Sequence, residues 1–361
     1  MDWSIVEREA IEHFKALLRI DTTNPPGNER PAADYIGKIF AAEGIDFEIL
    51  ESEPTRASIV ARLKGSGARG PLLLNGHLDV VTADPVHWKH DPFAAAVDEG
   101  CIWGRGAIDM KNMVTMSFMT LVALKRAGVE LDRDVIFAGV ADEEAGSHKG
   151  ALFLVEEHPE LVRCDYVLNE VGGHTLHFGE ARFYPVQVSE KGICWFELSA
   201  TGEPGHGSMP HEHNAVVRLA RAIDRLGKAR LPQHNTEVVD AFLRELARRS
   251  RFPNDRLIPL LLQPALSGAL LKGLGKKNPD QARGIGAMLR NTVSPTVLSG
   301  GSKVNVIPSR ASVKVDGRII PGQSVDQFLR EIREVVGEDL GIEILDHHDG
   351  TVFDSNTELY D

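Results

Sequence analysis

Apolar residues recur along this chain at two spacings, and the change from one to the other divides it. Trp3, Ile5, Val6, Ile11, Phe14, Leu17 and Leu18 return at helical spacing. They predict a helix over 4–20, with Ser4 as N-cap and Glu7 completing a capping box. Asp21-Thr22-Thr23-Asn24-Pro25-Pro26-Gly27 breaks it and makes a loop. A second helix is expected over 30–43, ended by Gly44. Strands at 45–50, 57–63, 71–75, 134–140 and 165–169 then alternate with helices at 112–127 and 149–157. Pro71-Leu72-Leu73-Leu74 and Val135-Ile136-Phe137-Ala138 lack polar alternation, as strands covered on both faces do. The pattern predicts an α/β fold: a mainly parallel sheet with helices on both faces.

From about residue 186 the pattern alternates. It predicts strands at 186–200, 303–306, 311–319 and 341–345, and helices at 214–226 and 325–336. This is an α+β unit with antiparallel pairing, carrying a partly helical insertion at about 230–290 rich in Leu, Lys and Arg. The expected organisation is a catalytic domain of 1–186 plus 348–361, interrupted by a lid domain of 187–347. Residues 355–361 read as the start of a helix.

At 361 residues the chain has room for two cores. A net charge of -12 argues against a nucleic-acid partner, which usually meets a basic field. Cys101, Cys164 and Cys194 fit neither a disulfide framework nor a Cys-x-x-Cys zinc site and read as free thiols in a reducing compartment. The N-terminus has no signal-peptide apolar core, and no apolar run is long enough to span a membrane. A cytoplasmic location is therefore expected.

Candidate chemistry sits at the strand ends. Gly76-His77-Leu78-Asp79 follows one apolar run, Asp142-Glu143-Glu144-Ala145-Gly146 another, and Asn169-Glu170 a third. Gly104-Arg105-Gly106-Ala107-Ile108-Asp109 precedes a helix. In open α/β sheets ligands sit beyond the carboxyl ends of strands. Each residue has an ordinary reading: His77 as a loop histidine, Asp109 as the N-cap of the 112–127 helix, Glu143 and Glu144 as solvated acids, Glu170 as a surface acid. Four such clusters in succession are the raw material of a two-metal hydrolase site. Asp79, two residues after His77, can take the other ring N–H of a metal-bound histidine. Gly205-His206-Gly207-Ser208 lies in the second unit, with Asn305 and Arg318 further on; an arginine fork suits a carboxylate. His87, His90, His174, His177 and Cys101 match no motif.

The stretches NGHLDVV, WGRGAIDMKN, ADEEAGS, LNEVGG, GEPGHGSMP and VNVIPSRASVKVDGR resemble the zinc aminoacylase/carboxypeptidase family, which includes acetylornithine deacetylase, succinyl-diaminopimelate desuccinylase, glutamate carboxypeptidase and the aminoacylases. The resemblance implies two zinc ions, with cobalt or manganese able to substitute. Asp109 would bridge them, His77 and Glu170 complete one site, and Glu144 serve the other. Glu143 would be the general base and Asp79 the partner of His77. His206 would be the lid histidine that polarises the scissile carbonyl, with Asn305 and Arg318 gripping substrate. The family's lid also implies a homodimer.

The family further supplies a last histidine ligand from a C-terminal segment. His347 and His348 follow a strand of the lid instead, so the sequence reads as ending before that ligand. The site served by Glu144 is then expected to lack a donor, and the chain to be poor in metal. The expected activity is zinc-dependent hydrolysis of a peptide or N-acyl amino acid by a metal-bridged hydroxide. Two other readings compete: a non-catalytic homologue lacking the last ligand, and a two-metal phosphoesterase. The intact Glu143 and the lid motif weigh against the first, and the lid with Asn305 and Arg318 weighs against the second.

Overall fold

The computed structural model describes residues 2–172, 175–178 and 181–360. The chain forms two compact units, Met1–Val171 and Gly172–Asp361.

In the first unit, helices α1 (Trp3–Leu18) and α2 (Arg30–Ala42) precede strands β1 (Phe47–Glu53), β2 (Arg56–Leu63) and β3 (Leu72–His77). Helix α3 (Lys111–Ala127), strand β4 (Val135–Val140), helix α4 (Ala151–Glu157) and strand β5 (Tyr166–Leu168) follow. Gly44 ends the second helix region at φ +62°, a backbone angle that glycine adopts without a Cβ penalty. The first helix begins earlier than expected. Asp2, not Ser4, is its N-cap: the Asp2 carboxylate accepts from the Ser4 N–H at 2.9 Å.

The five strands lie in the order β1-β2-β4-β3-β5. β4, β3 and β5 are parallel, while β1 and β2 form an antiparallel pair added beside β4. β4 is buried along its whole length, as its continuous apolar run requires. Alternate residues serve opposite faces. Ile59, Ala61 and Phe137 pack on α1–α3 with Leu17, Ile36, Phe40 and Phe118, whereas Val60, Ile136 and Ala138 pack on the other face with Leu154 and Val162. Phe40 and Phe118 meet the Phe137 ring edge-on, at centroid distances of 5.7 and 6.3 Å.

One polar clamp ties the end of β2 to the start of β4. The Asp134 carboxylate accepts from Arg62 Nη1 (2.9 Å), Lys64 Nζ (3.0 Å) and the Gly65 N–H (2.9 Å). Partial burial pushes this carboxyl up, but those three donors outweigh it and hold the pKa at about 2. A depressed carboxyl stabilises the fold above its unfolded pKa and loses that contribution as pH falls. We expect Asp134→Asn to cost about 1 kcal/mol at neutral pH, with Lys64 adding little because it is exposed. The gap in urea midpoint between wild type and variant should close between about pH 4 and about pH 2. A gap unchanged at pH 2 would show that the clamp does not act through charge.

In the second unit, strand β6 (Gly192–Thr201), helix α5 (Ala215–Lys228), strands β7 (Thr292–Gly300) and β8 (Arg310–Ile319), helix α9 (Val325–Val336) and strand β9 (Gly341–His348) form the frame. Helices α6 (Glu237–Arg248), α7 (Pro264–Gly275) and α8 (Pro279–Met288) lie between α5 and β7 and bury a small core of their own around Leu243, Leu246, Leu261 and Leu289. The sheet is antiparallel in the order β7-β8-β6-β9. Inward residues of β6 and β8 alternate against α5 and α9.

The helix at 325–336 and the strand at 311–319 stand where the pattern placed them. The strand expected at 303–306 reduces to Val306–Ile307, paired with Gly205–His206. β7 was not foreseen: it carries Pro295 at a register shift and is largely exposed, so it shows no apolar alternation. Of the helix start expected at 355–361, the described residues form only a turn, with the Tyr360 N–H donating to the Thr357 carbonyl at 3.0 Å; Asp361 lies outside them. Gly317 on β8 leaves room for Phe328: a Cβ there would lie 2.4 Å from the Cys194 carbonyl oxygen and 2.7 Å from the Phe328 ring. Gly317→Ala should therefore destabilise this unit by about 1–3 kcal/mol, read as a lowered thermal midpoint. An unchanged midpoint would mean that the α9–sheet contact yields freely. Among the described residues, no helix is long and apolar enough to cross a membrane.

Candidate metal centre

Three parallel strands bring their carboxyl ends to one edge of the first sheet. His77 is the last residue of β3, Glu143 and Glu144 follow β4, and Glu170 lies two residues beyond β5. Asp109 comes from the glycine-rich loop that enters α3. It does not cap that helix: Met110 holds the cap position, with no side-chain cap bond. The Asp109 carboxylate instead turns to His77, Oδ1 to Nε2 at 3.0 Å.

His77 is buried, and its two ring nitrogens face different partners. Nδ1 lies 2.9 Å from the Asp79 carbonyl oxygen and 3.6 Å from the Asp79 carboxylate, so the backbone oxygen is the closer acceptor. Nε2 faces Asp109, Glu170 (3.6 Å) and Glu143 (3.8 Å). Two donor sets result, His77 with Asp109 and Glu170, and His77 with Glu143 and Glu144, each with ligand atoms within 4.8 Å of one another. Asp79 has a second task. Its two carboxylate oxygens accept the backbone N–H groups of Glu143 and Glu144, each at 3.1 Å, so the residue beneath His77 also holds the turn that carries both glutamates.

The charge balance is lopsided. Among the described residues, His77 is the only basic side chain ion-paired with Asp109, Glu143 or Glu170, and Glu144 has no such partner. Burial would push the His77 imidazole down, but Asp79, Glu170 and Glu143 outweigh it and push the pKa up to about 11. Glu143 is pushed up to about 7, first by burial and then by Glu170, Glu144 and Asp79, against the pull of His77. Glu144 is raised by burial and by Asp109 and Asp79. Four carboxylates around one imidazole are poorly matched by protein charge and well matched by divalent cations that take mixed oxygen and nitrogen ligands. The donor set thus fits a metal.

Beneath this cluster is a buried network that sequence reasoning missed. Asn24, Glu29, Arg56, Asp79 and Asp142 are all at most 5% exposed. Arg56 opens a largely buried strand, and Glu29 stands just before a helix. Only Gly27 in the Pro-Pro-Gly turn hinted at a close backbone approach.

In the second unit, the short pairing of Gly205–His206 with Val306–Ile307 brings His206 beside the Asn305 segment, and the Gly207 N–H donates to the Asn305 carbonyl at 2.8 Å. His206 Nδ1 lies 2.7 Å from Ser208 Oγ. Arg318 is not with them. β8 runs from Arg310, which pairs with Thr201, to Arg318, which pairs with Ile193, a separation of about 26 Å at ~3.3 Å per residue. Its guanidinium grips Asp316 through Nε (2.8 Å) and Nη2 (3.2 Å). His347 and His348 lie on β9, opposite Cys194 and Ile193. His90 bonds Asp98 at 3.0 Å, His87 lies 3.8 Å from Asp84, and the His177 carbonyl accepts from Gln281. Cys101 is exposed, and His174 lies outside the described residues.

Comparison with known proteins adds the lineage. The N-fatty-acyl-amino acid synthase/hydrolase PM20D1 of Xenopus tropicalis is 29% identical over 353 residues, 92% of this chain and 66% of the relative. The chain thus spans just under two-thirds of that relative's length. Aminoacylase-1 of Sus scrofa is 27% identical over 346 residues, 94% of this chain and 73% of the relative. The crystal structure of the M20 family metallo-carboxypeptidase Sso-CP2 from Sulfolobus solfataricus superposes with a TM-score of 0.70 at 19% identity, covering 98% of this chain and 81% of that one. At that identity the match speaks for the fold. The model of Peptidase family M20/M25/M40 runs from residue 73, inside the strand that delivers His77, to residue 355, beyond the last strand pair, and the chain belongs to that family.

Proposed function

We propose that this chain hydrolyses an amide bond in a peptide or an N-acyl amino acid. The observation that carries the reading is the convergence of His77, Asp109, Glu143, Glu144 and Glu170 at one sheet edge with, among the described residues, no lysine or arginine ion-paired to them. His77, Asp109 and Glu170 would hold one divalent ion, and Glu144, sharing Asp109, a second, with zinc the expected metal. Such ions supply Lewis acidity, polarising a carbonyl and lowering the pKa of water.

The protein's own groups carry the proton. Glu143 takes it from the attacking water as the C–O bond forms, and returns it to the amine nitrogen as the C–N bond breaks. Asp79 fixes the His77 ring through its carbonyl oxygen and the Glu143–Glu144 turn through its carboxylate. On the second unit, His206 is assigned to the substrate carbonyl oxygen, and Asn305 and Arg318 to its polar groups; because Arg318 lies at the far end of β8 from His206, the two would meet one substrate only from different protomers of a dimer. Arg318 would have to exchange Asp316 for a substrate carboxylate.

A homodimer through the second unit is part of this proposal, supported by the edge of β7 that pairs with no strand among the described residues, with its exposed Val297 and Leu298. The three free cysteines support a cytoplasmic location. The test is amine release from a panel of dipeptides and N-acyl amino acids, with zinc, cobalt or manganese supplied. Turnover of at least one class is expected. Phosphate release from phosphoesters with no amide cleavage would reject the reading.

A further inference from the structure

The loop at 21–27 and the start of β2 enclose a guanidinium that touches none of the candidate ligands, yet lies three hydrogen bonds from Asp79, the residue that holds the turn of Glu143 and Glu144. Arg56 binds both oxygens of Glu29, Nε to Oε2 and Nη2 to Oε1, each at 2.8 Å. Nη2 also reaches Asp142 Oδ1 at 2.7 Å, and Nη1 the Pro26 carbonyl at 3.1 Å. Asp142 Oδ1 accepts in turn from Asn24 Nδ2 (3.1 Å), and the same amide nitrogen donates to Asp79 Oδ2 at 2.8 Å. Asp79 then receives the N–H groups of Glu143 and Glu144.

The turn bearing both glutamates is thus anchored at two points, at Asp142 before it and at Asp79 under it. Asp142 needs its anchor. It sits at φ +67° without being glycine, and its Oδ2 accepts the Lys149 N–H that closes the loop. Two buried carboxylates, Glu29 and Asp142, share one buried guanidinium, so removing Arg56 would leave both uncompensated. The enclosure is close-fitting: a Cβ on Gly27, itself at φ +89°, would lie 2.2 Å from Arg56 Cζ.

We propose that Arg56 is a positioning residue that, through Asp142, Asn24 and Asp79, sets the direction in which Glu143 and Glu144 leave the sheet. The inference rests on the metal-centre reading for its functional consequence, but not for its structural one. The experiment is amide hydrogen exchange of residues 141–147 in the metal-free chain, followed by cobalt titration of the same samples. Arg56→Lys keeps the charge and loses the fork; Asn24→Ala cuts the relay without touching a charge. Val122→Ala, in the core of the same unit, is the control for general loosening.

Both relay variants should raise exchange at Glu143 and Glu144 by about 10-fold or more while β4 keeps its protection. They should also weaken cobalt binding by about 10–100-fold. Val122→Ala should do neither, beyond its effect on global stability. Unchanged exchange at 143–144 in Arg56→Lys and Asn24→Ala, or an increase that Val122→Ala reproduces, overturns the proposal. If wild type takes up no cobalt, the metal reading fails, and the exchange pattern still decides the role of Arg56.

Discussion

Glu143→Gln is expected to lower kcat by about 10²–10⁴-fold while the chain keeps its metal. The substitution preserves shape and leaves the backbone N–H on Asp79, so the turn should stand. It removes only the ability to accept a proton. The side chain is 42% exposed, which limits any cost to the fold to a few tenths of a kcal/mol. KM should change little, because the loss falls on the reacting step rather than on substrate binding. Metal analysis and steady-state kinetics on one preparation check this. Near-normal kcat with normal metal content would remove Glu143 from the role of base.

Asp109→Ala should be more damaging to metal binding and less to folding than its place among buried residues suggests. The carboxylate is 67% exposed, its one hydrogen bond among the described residues is to His77, and α3 does not use it as a cap. The metal-free variant should unfold within about 0.5 kcal/mol of wild type. As the carboxylate assigned to both ions, its removal should weaken metal binding by more than about 100-fold, the upper range for losing a mere supporting partner. Hydrolysis should fall to background. Competition against a chromophoric chelator reads the affinity, and wild-type affinity in this variant would show that Asp109 is not a ligand.

Much of the first unit was legible because its signals are local. The runs 71–75 and 134–140 are apolar throughout, and a strand covered on both faces leaves that mark. His77, Glu143, Glu144 and Glu170 could be placed together because parallel strands end at one edge. The Asp79–His77 contact was legible as a spacing, but not in its atoms: the closer acceptor is the carbonyl, and the carboxylate serves the 143–144 turn. Arg56 and Glu29 left no signal, since they meet across 27 positions and each resembles an ordinary residue where it stands. β7 was hidden for a different reason. An exposed edge strand with a proline at a register shift carries no period-two pattern. The distance of Arg318 from His206 follows from strand register, which sequence patterning does not supply.

We propose the cluster at the end of β3, β4 and β5 as a metal-dependent amide hydrolase centre. The most direct test is chelation and reconstitution of the purified chain. Amine release from its best substrate would be followed alongside bound metal per chain as zinc is removed and returned. Activity should disappear with the metal and return in proportion to the zinc taken up, and Asp109→Ala should recover neither. Amine release that persists at full rate after the metal is gone would contradict the proposal.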